Sequence, residues 1–429
     1  GPPVSGPNYW TLEYLPDGDL ILGGDYSWGL GAAESYLARL SDGEWHPPAP
    51  GYSTWGASVR EGPAGELLVL TPGNFIGEER VNHMALWQEG RWTALSGGTN
   101  GTIDAMVVRP DGDLVVSGAF TMAGGSPASR IAAWDGSTWR PLGSGLGSSA
   151  NTLVTMPGGD LVAIGPFSTA GGTPAGRIAR WNGESWTGLG TGLNNDATGH
   201  LRLPNGDLIV TGAFTTAGEV AAGRIARWNG SEWSALGVGL GGSGNAVALD
   251  ANGDIIAGGS FATAGGIPAR NIARWDGVSW SPLGAGLNGT CRGLTRLPTG
   301  DLLAWGSFSS AGDVPASTIA RWNGATWSAL PSWPDASITA VFQLGNGDTL
   351  VSATMTNVSH PMPARVARLH PTHWEVLGGD FGPGDIKDVR LVDGRLIVSG
   401  MFRTVAGSPA AALVVWVCNS CSADLNQDG

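Results

Sequence analysis

Three groups of residues in this sequence have the types and spacing that chemistry requires. Near the C-terminal end Asp424, Asn426 and Asp428 alternate and Gly429 follows, which is how a calcium-binding loop opens. Such a loop places oxygen ligands at positions 1, 3 and 5, with a glycine at the sharp bend of position 6. The bidentate carboxylate of position 12 is missing, so this half-site is expected to hold calcium weakly or not at all. Just before it, Cys418 and Cys421 could close a small disulfide in an oxidising compartment. A zinc site would need two more ligands, and none is near in sequence. The third group is Arg202, Arg296 and Arg390, each four residues before a turn glycine. Facing a common channel, they could hold a carboxylate or sulfate, or simply line it.

Aromatic residues crowd the N-terminal part: all five Tyr, with Trp10, Trp28, Trp55 and Phe75 among them. Trp28 and Trp55 could stack on a sugar; the same residues could equally repack the first repeats. Cys291 is alone and reads as a small buried hydrophobe. His370 and His373 lie at a hairpin with His360 in the loop before it, and no carboxylate or cysteine partner is evident, which argues against a metal. The carboxylates Asp19, Glu66, Asp113, Asp160, Asp207, Asp254, Asp301 and Asp348 recur so evenly that they read as structural. They are expected to hold turn amides or to pair with Arg180, Arg227, Arg274 and Arg321. No catalytic residue is assigned, and the expectation is a protein that is not an enzyme.

That evenness exposes what must position these groups. A turn glycine falls at Gly18, Gly65, Gly112, Gly159, Gly206, Gly253, Gly300, Gly347 and Gly394, every step being 47 residues. A tryptophan series keeps the same step through Trp45, Trp92, Trp139, Trp186, Trp233, Trp280, Trp327 and Trp374, and Cys421 stands where a ninth would be. A third series, Trp87, Trp134, Trp181, Trp228, Trp275, Trp322 and Trp416, has Leu40 and Leu369 in its gaps. The repeat around Gly206 reads as four strands: His200–Leu203, Asp207–Phe214, Arg224–Trp228 and Trp233–Leu236. Asn205-Gly206 and Asn229-Gly230 read as two-residue hairpin turns. Four antiparallel strands in a unit of about 40–50 residues make a propeller blade, which buries its faces only by stacking on neighbours.

The repeat grammar, a glycine-ended second strand followed by Ala-Arg-Trp-Asp/Asn-Gly and Trp-x-x-Leu, resembles the kelch-type repeat, whose architecture the central domain of galactose oxidase shares. A closer likeness is to repeats of large secreted bacterial and fungal surface proteins, as in Ala170-Gly-Gly-Thr-Pro-Ala-Gly-Arg-Ile-Ala-Arg-Trp181. The C-terminal Asp-x-Asn-x-Asp-Gly run is similar to the opening of an EF-hand-like dockerin segment. The resemblance implies a propeller of a secreted protein. It carries over no copper chemistry, because no Tyr occurs after Tyr52. The sialidase Asp-box is not matched either, Asp135 to Trp139 being one residue too short.

Composition agrees with an all-β reading: Gly 71, Trp 20, and only 14% charged residues among 429. A net charge of −13 argues against a phosphate-backbone partner, and no apolar run is long enough to span a membrane. The Gly1-Pro2-Pro3-Val4 start lacks the features of a signal peptide and reads as that of a trimmed mature fragment. The expectation is one nine-bladed β-propeller over 1–422, with a calcium-loop-like tail at 423–429. Its blades fall at about 8–54, 55–101, 102–148, 149–195, 196–242, 243–289, 290–336, 337–383 and 384–422. The expected role is a non-catalytic binding or structural module of a larger exported protein, secreted or at the cell surface, monomeric and without a cofactor. Its partner would be a protein or carbohydrate surface. A lectin-like adhesin using Trp28 and Trp55 is the first alternative, a hydrolase or lyase the second.

Overall fold

Each repeat folds around a turn that its proline and glycine dictate. In the computed structural model the Gly206 N–H donates to the Leu203 carbonyl at 2.9 Å, and the Leu203 N–H to the Asp207 carbonyl at 2.8 Å. Pro204 is preset for the first central position of a type I turn, and Gly206 then takes the left-handed conformation at φ 93°. This replaces the two-residue turn expected at Asn205-Gly206, which would need a positive φ at both residues. The same correction holds at Asn229-Gly230, where only Gly230 has a positive φ, of 98°. There the Asn229 N–H donates to the Glu232 carbonyl, so the reversal centres on Gly230 and Ser231.

The structure describes residues 98–330 throughout, apart from Ser317, and beyond them the backbone of strands from Ser5–Tyr14 to Leu413–Val417. It is all-β, built of repeated four-stranded antiparallel sheets whose strands follow chain order from inner to outer. In the fifth repeat these are Ala197–Arg202, Leu208–Gly212, Ile225–Trp228 and Trp233–Ala235. A small hairpin, Thr216–Ala217 with Val220–Ala221, fills the loop between second and third strands. The third, fourth, sixth and seventh repeats copy this plan, with inner strands Ile103–Val108, Thr152–Thr155, Ser243–Leu249 and Thr290–Arg296. The ninth repeat pairs three strands, Ile386–Val392, Arg395–Gly400 and Leu413–Val417.

The second strand does not alternate as a half-exposed strand would. Leu208 through Gly212 are all buried, because another blade covers each face of the sheet. The core therefore lies between blades. Val162, Ile164 and Leu189 of the fourth repeat pack with Leu208, Val210, Phe214 and Trp233 of the fifth. Phe120, Phe167 and Phe214 are the largest fully enclosed side chains described. Each removes apolar surface worth about 1.5–3 kcal/mol from water.

Directional bonds fix the stack. Outer-strand Trp186, Trp233, Trp280 and Trp327 donate their indole N–H to the carbonyls of Leu142, Leu189, Leu236 and Leu283, at 2.7, 2.6, 2.5 and 2.7 Å. Each acceptor belongs to the preceding repeat. Trp228 and Trp233 also pair across the third and fourth strands, with ring centroids 5.3 Å apart. In the opposite direction, Arg130, Arg177, Arg224 and Asn271 adopt φ of 62–67°, a conformation most side chains avoid. Arg224 Nη1 and Asn271 Nδ2 from this position donate to Leu240 and Leu287 carbonyls of the linker ahead, at 3.0 and 2.9 Å. Gly239 meets the same demand from the other side. At φ 76° it lies so close to Gly223 that an added Cβ would sit 2.3 Å from the Gly223 carbonyl oxygen.

Two measurements check this account. Trp233→Phe keeps an aromatic ring but strands the Leu189 carbonyl, and is expected to lower unfolding free energy by about 1–3 kcal/mol in urea titration. Gly239→Ala combines strained φ with a backbone clash and is expected to lower the melting temperature well beyond the effect of Gly277→Ala. The latter also sits at positive φ but has open space around it.

Candidate ligand-facing residues on the inner strands

Along an inner strand, alternate residues leave the sheet in opposite directions. In Ala197–Arg202 the exposed set is Thr198, His200 and Arg202. The counterparts of Arg202 in neighbouring repeats are Val108, Thr155, Leu249 and Arg296, so among these blades only the fifth and seventh carry an arginine. Arg202 Nη1 donates to the Thr155 carbonyl of the preceding inner strand at 2.9 Å, which leaves the rest of its guanidinium uncommitted. Arg296 is exposed and makes no hydrogen bond or ion pair with a described residue. One inner strand, Ser243–Leu249, stands between these two arginines. Arg292, at the register shift in the same strand as Arg296, is exposed as well.

These arginines differ from those of the third strands. Asp160, Asp207 and Asp301 accept from Arg180, Arg227 and Arg321, and Asp254 lies 3.5 Å from Arg274. Of the two expected roles, pairing therefore holds these carboxylates. The turn amide is held by the residue two before, as where the Asp207 N–H donates to Asn205 Oδ1 at 3.1 Å. In the third repeat Ala133 replaces the arginine, and Asp113 pairs with Arg140 of the outer strand instead.

Two further titratable groups are explained by their surroundings. Cys291 is completely buried in the Thr290–Arg296 strand, its thiol contacting the Gly293 carbonyl at 3.4 Å; desolvation pushes its pKa up to about 12. That agrees with the reading of a buried hydrophobe. His200 meets solvent, yet the protein around it disfavours the imidazolium, so its pKa lies below the ordinary histidine value. Asp135 accepts from the amides and hydroxyls of Ser137 and Thr138, and these bonds hold its carboxyl well below the usual range.

One repeated polar group was not anticipated from sequence. Asn100, Asn194 and Asn288, at the ends of their repeats, each clamp a loop of the repeat that follows. Asn194 Oδ1 accepts from the Thr215 and Thr216 amides at 2.8 and 3.1 Å, and Nδ2 donates to the Thr215 hydroxyl. Gly147 and Gly241 hold the intervening positions and use only backbone bonds, to Thr169 and Thr263. The signal was present as asparagine at every second repeat. Inner-strand side chains also join blades: the Thr198 hydroxyl donates to the Gly244 carbonyl at 2.5 Å and Asn245 Nδ2 to the Cys291 carbonyl at 3.0 Å.

Trp28, Trp55, Cys418, Cys421, Asp424, Asn426, Asp428 and the side chain of Arg390 lie outside the described residues. Among those described, no group of three or more His, Cys, Asp or Glu is placed to hold a metal ion, and no helix is long and apolar enough to cross a membrane.

Two predictions follow from the site chemistry. In a Cys418→Ser/Cys421→Ser background, Cys291 is expected to react with a thiol reagent only at the rate of unfolding, because little thiolate forms in the native state. Asp135→Asn keeps the acceptor that Asn182, Asn229 and Asn323 supply at the same place in other repeats. It is expected to leave the neutral-pH unfolding midpoint unchanged, whereas Asp135→Ala lowers it. Because the wild-type carboxyl is depressed, its stabilisation is complete above the unfolded carboxylate pKa and fades as pH falls below it. Asp135→Asn should remove that acid-limb dependence in a melting series.

Comparison with solved structures gives likenesses of low identity. The chain is similar to an extracellular domain assigned to a hybrid two-component system of B. thetaiotaomicron, at 13% identity and a TM-score of 0.37, covering 91% of this chain and 51% of that one. It is also similar to PorZ, a bacterial surface component of the type-IX secretion system of Porphyromonas gingivalis, at 12% identity and a TM-score of 0.36, covering 93% and 62%. A third likeness is to YCF48 bound to D1 peptide, at 13% identity and a TM-score of 0.38, covering 82% and 91%. The chain spans about half the length of the first of these structures. No curated protein matches the sequence. Residues 109–132, which run from the first turn of the third repeat through its second strand and into its third, match the family described as a domain of unknown function (DUF5122) beta-propeller.

Proposed function

We propose that the nine repeats close into one nine-bladed, kelch-like propeller, a non-catalytic secreted module whose channel mouth contacts acidic groups of a protein or glycan. The observation that carries the binding role is the uneven treatment of arginine. In a chain of net charge −13, third-strand arginines are matched to carboxylates, while Arg202 is tied by a single nitrogen to a carbonyl and Arg296 stands free. Both belong to the inner-strand ends next to the turns, where a guanidinium meets a carboxylate or sulfate with paired hydrogen bonds. Arg390 occupies the same sequence position in the ninth repeat and would add a third. Closure is supported by strand Ser5–Tyr14 lying against Ile386–Val392 and Arg395–Gly400 of the ninth repeat. A secreted setting rests on the likeness of the Ala170–Trp181 segment to repeats of exported surface proteins.

An array of uronate, sialate and sulfate glycans, together with acidic peptides, tests the reading. At least one acidic probe is expected to bind, to weaken as salt is raised, and to lose about tenfold or more in affinity in Arg202→Gln/Arg296→Gln. Failure of every acidic probe, or equal binding by the double variant, would refute it.

A further inference from the structure

We infer that the cleft between the fourth and fifth repeats is a second binding site, built for one neutral sugar unit and separate from the channel arginines. The cleft holds about 240 Å³. That is below the roughly 300–1,000 Å³ of drug-sized sites, so it takes one ring-sized group. Its lining joins Arg180, Asn182 and Thr187 of one repeat to Trp228 and Ser231 of the next.

The indole donor of Trp228 points to a ligand. Third-strand tryptophans repeat down the chain, and the Nε1–H groups of Trp134 and Trp181 are buried with no partner. An unpartnered buried donor costs free energy, which these two blades tolerate for the packing of the ring. At Trp228 the same N–H has no protein partner either, but it is not sealed, and the residue borders the cleft. An acceptor oxygen entering there would satisfy a donor that the fold leaves unpaired.

The surrounding groups set the class of ligand. Arg180 is neutralised by Asp160, so the site carries no net charge, although the guanidinium side chain is 41% exposed and keeps donors free. Asn182 Oδ1 is spent on the Glu184 and Ser185 amides, whereas no bond is made by its Nδ2 among the described residues. The Thr187 and Ser231 hydroxyls can each donate and accept. Several neutral donors and acceptors around an indole suit the alternating hydroxyls and C–H faces of a pyranose.

A neighbouring junction supplies the control. Where the fourth repeat has Arg180 and Thr187, the third has Ala133 and Arg140, and there Arg140 reaches across to Asp113. Arg180→Ala/Thr187→Arg would transplant that arrangement, conserving charge and placing a long side chain at the cleft. The probes are methyl glycosides of glucose, galactose, mannose and N-acetylglucosamine, followed by the indole N–H resonances of the full chain. At least one is expected to shift the Trp228 signal with a dissociation constant of about a millimolar, the weak range proper to a single small ring. The double variant should lower affinity tenfold or more at an unchanged melting temperature, and Arg202→Gln/Arg296→Gln should leave it as it was. Should the double variant fail to fold, Thr187→Arg alone carries the same expectation. Absence of any shift up to about 50 mM, or binding that survives the Thr187→Arg change, overturns the inference.

Discussion

One hydrogen bond sets the terms for the rest of this molecule: the indole N–H of outer-strand Trp186, Trp233, Trp280 and Trp327, donated to a leucine carbonyl of the preceding repeat. It fixes the distance and rotation between neighbouring blades at their outer edge, where apolar packing alone would let them slide. Once that spacing is fixed, the linker must turn back within a few residues. Glycines at positive φ, such as Gly239, and left-handed Arg224 are the consequences. The strain of Arg224 is offset locally, since its guanidinium satisfies the Leu240 carbonyl on the next linker. Burial, strain and bonding at one junction are therefore parts of a single geometric requirement.

Polar side chains divide along the same line. Groups that recur from blade to blade close bonds within the scaffold: Asp160, Asp207 and Asp301 pair with third-strand arginines, and Asn182, Asn229 and Asn323 hold turn amides. Arg296 breaks the recurrence and is left with free donors, whereas Trp228 belongs to a recurring series and differs from Trp134 and Trp181 in that its N–H is not sealed. A repeated architecture makes this separation unusually clear, because each residue carries its own comparison in neighbouring blades. Function in such a protein is written in differences between equivalent positions rather than in any one residue type.

How much of this was legible in the sequence follows from how local each feature is. The glycine and tryptophan series revealed the four-stranded unit because each glycine marks a turn and each tryptophan a fixed packing place. Cys291 was readable as a buried hydrophobe because nothing around it in sequence suggested a reactive thiol. The turn type at Gly206 was misread: Asn-Gly is a strong hairpin signal, and Pro204 outweighs it by presetting the preceding residue. Left-handed Arg224 was invisible, since arginine gives no local cue for positive φ. The alternative roles of Asp207 stayed open until the structure placed Arg227 beside it. The Trp228 cleft could not be read at all, because its walls come from chain segments about one repeat apart, and only their meeting reveals an unpaired donor.

The tryptophan bond also has an arrow. Each of the four described donors lies 44 residues after its acceptor, so in this bond the later repeat latches onto the earlier one. A chain emerging N-terminus first thus meets each partner in the order needed: the leucine carbonyl is already in place when its tryptophan arrives. Assembly can proceed like a row of overlapping tiles, with one exposed edge moving along the chain.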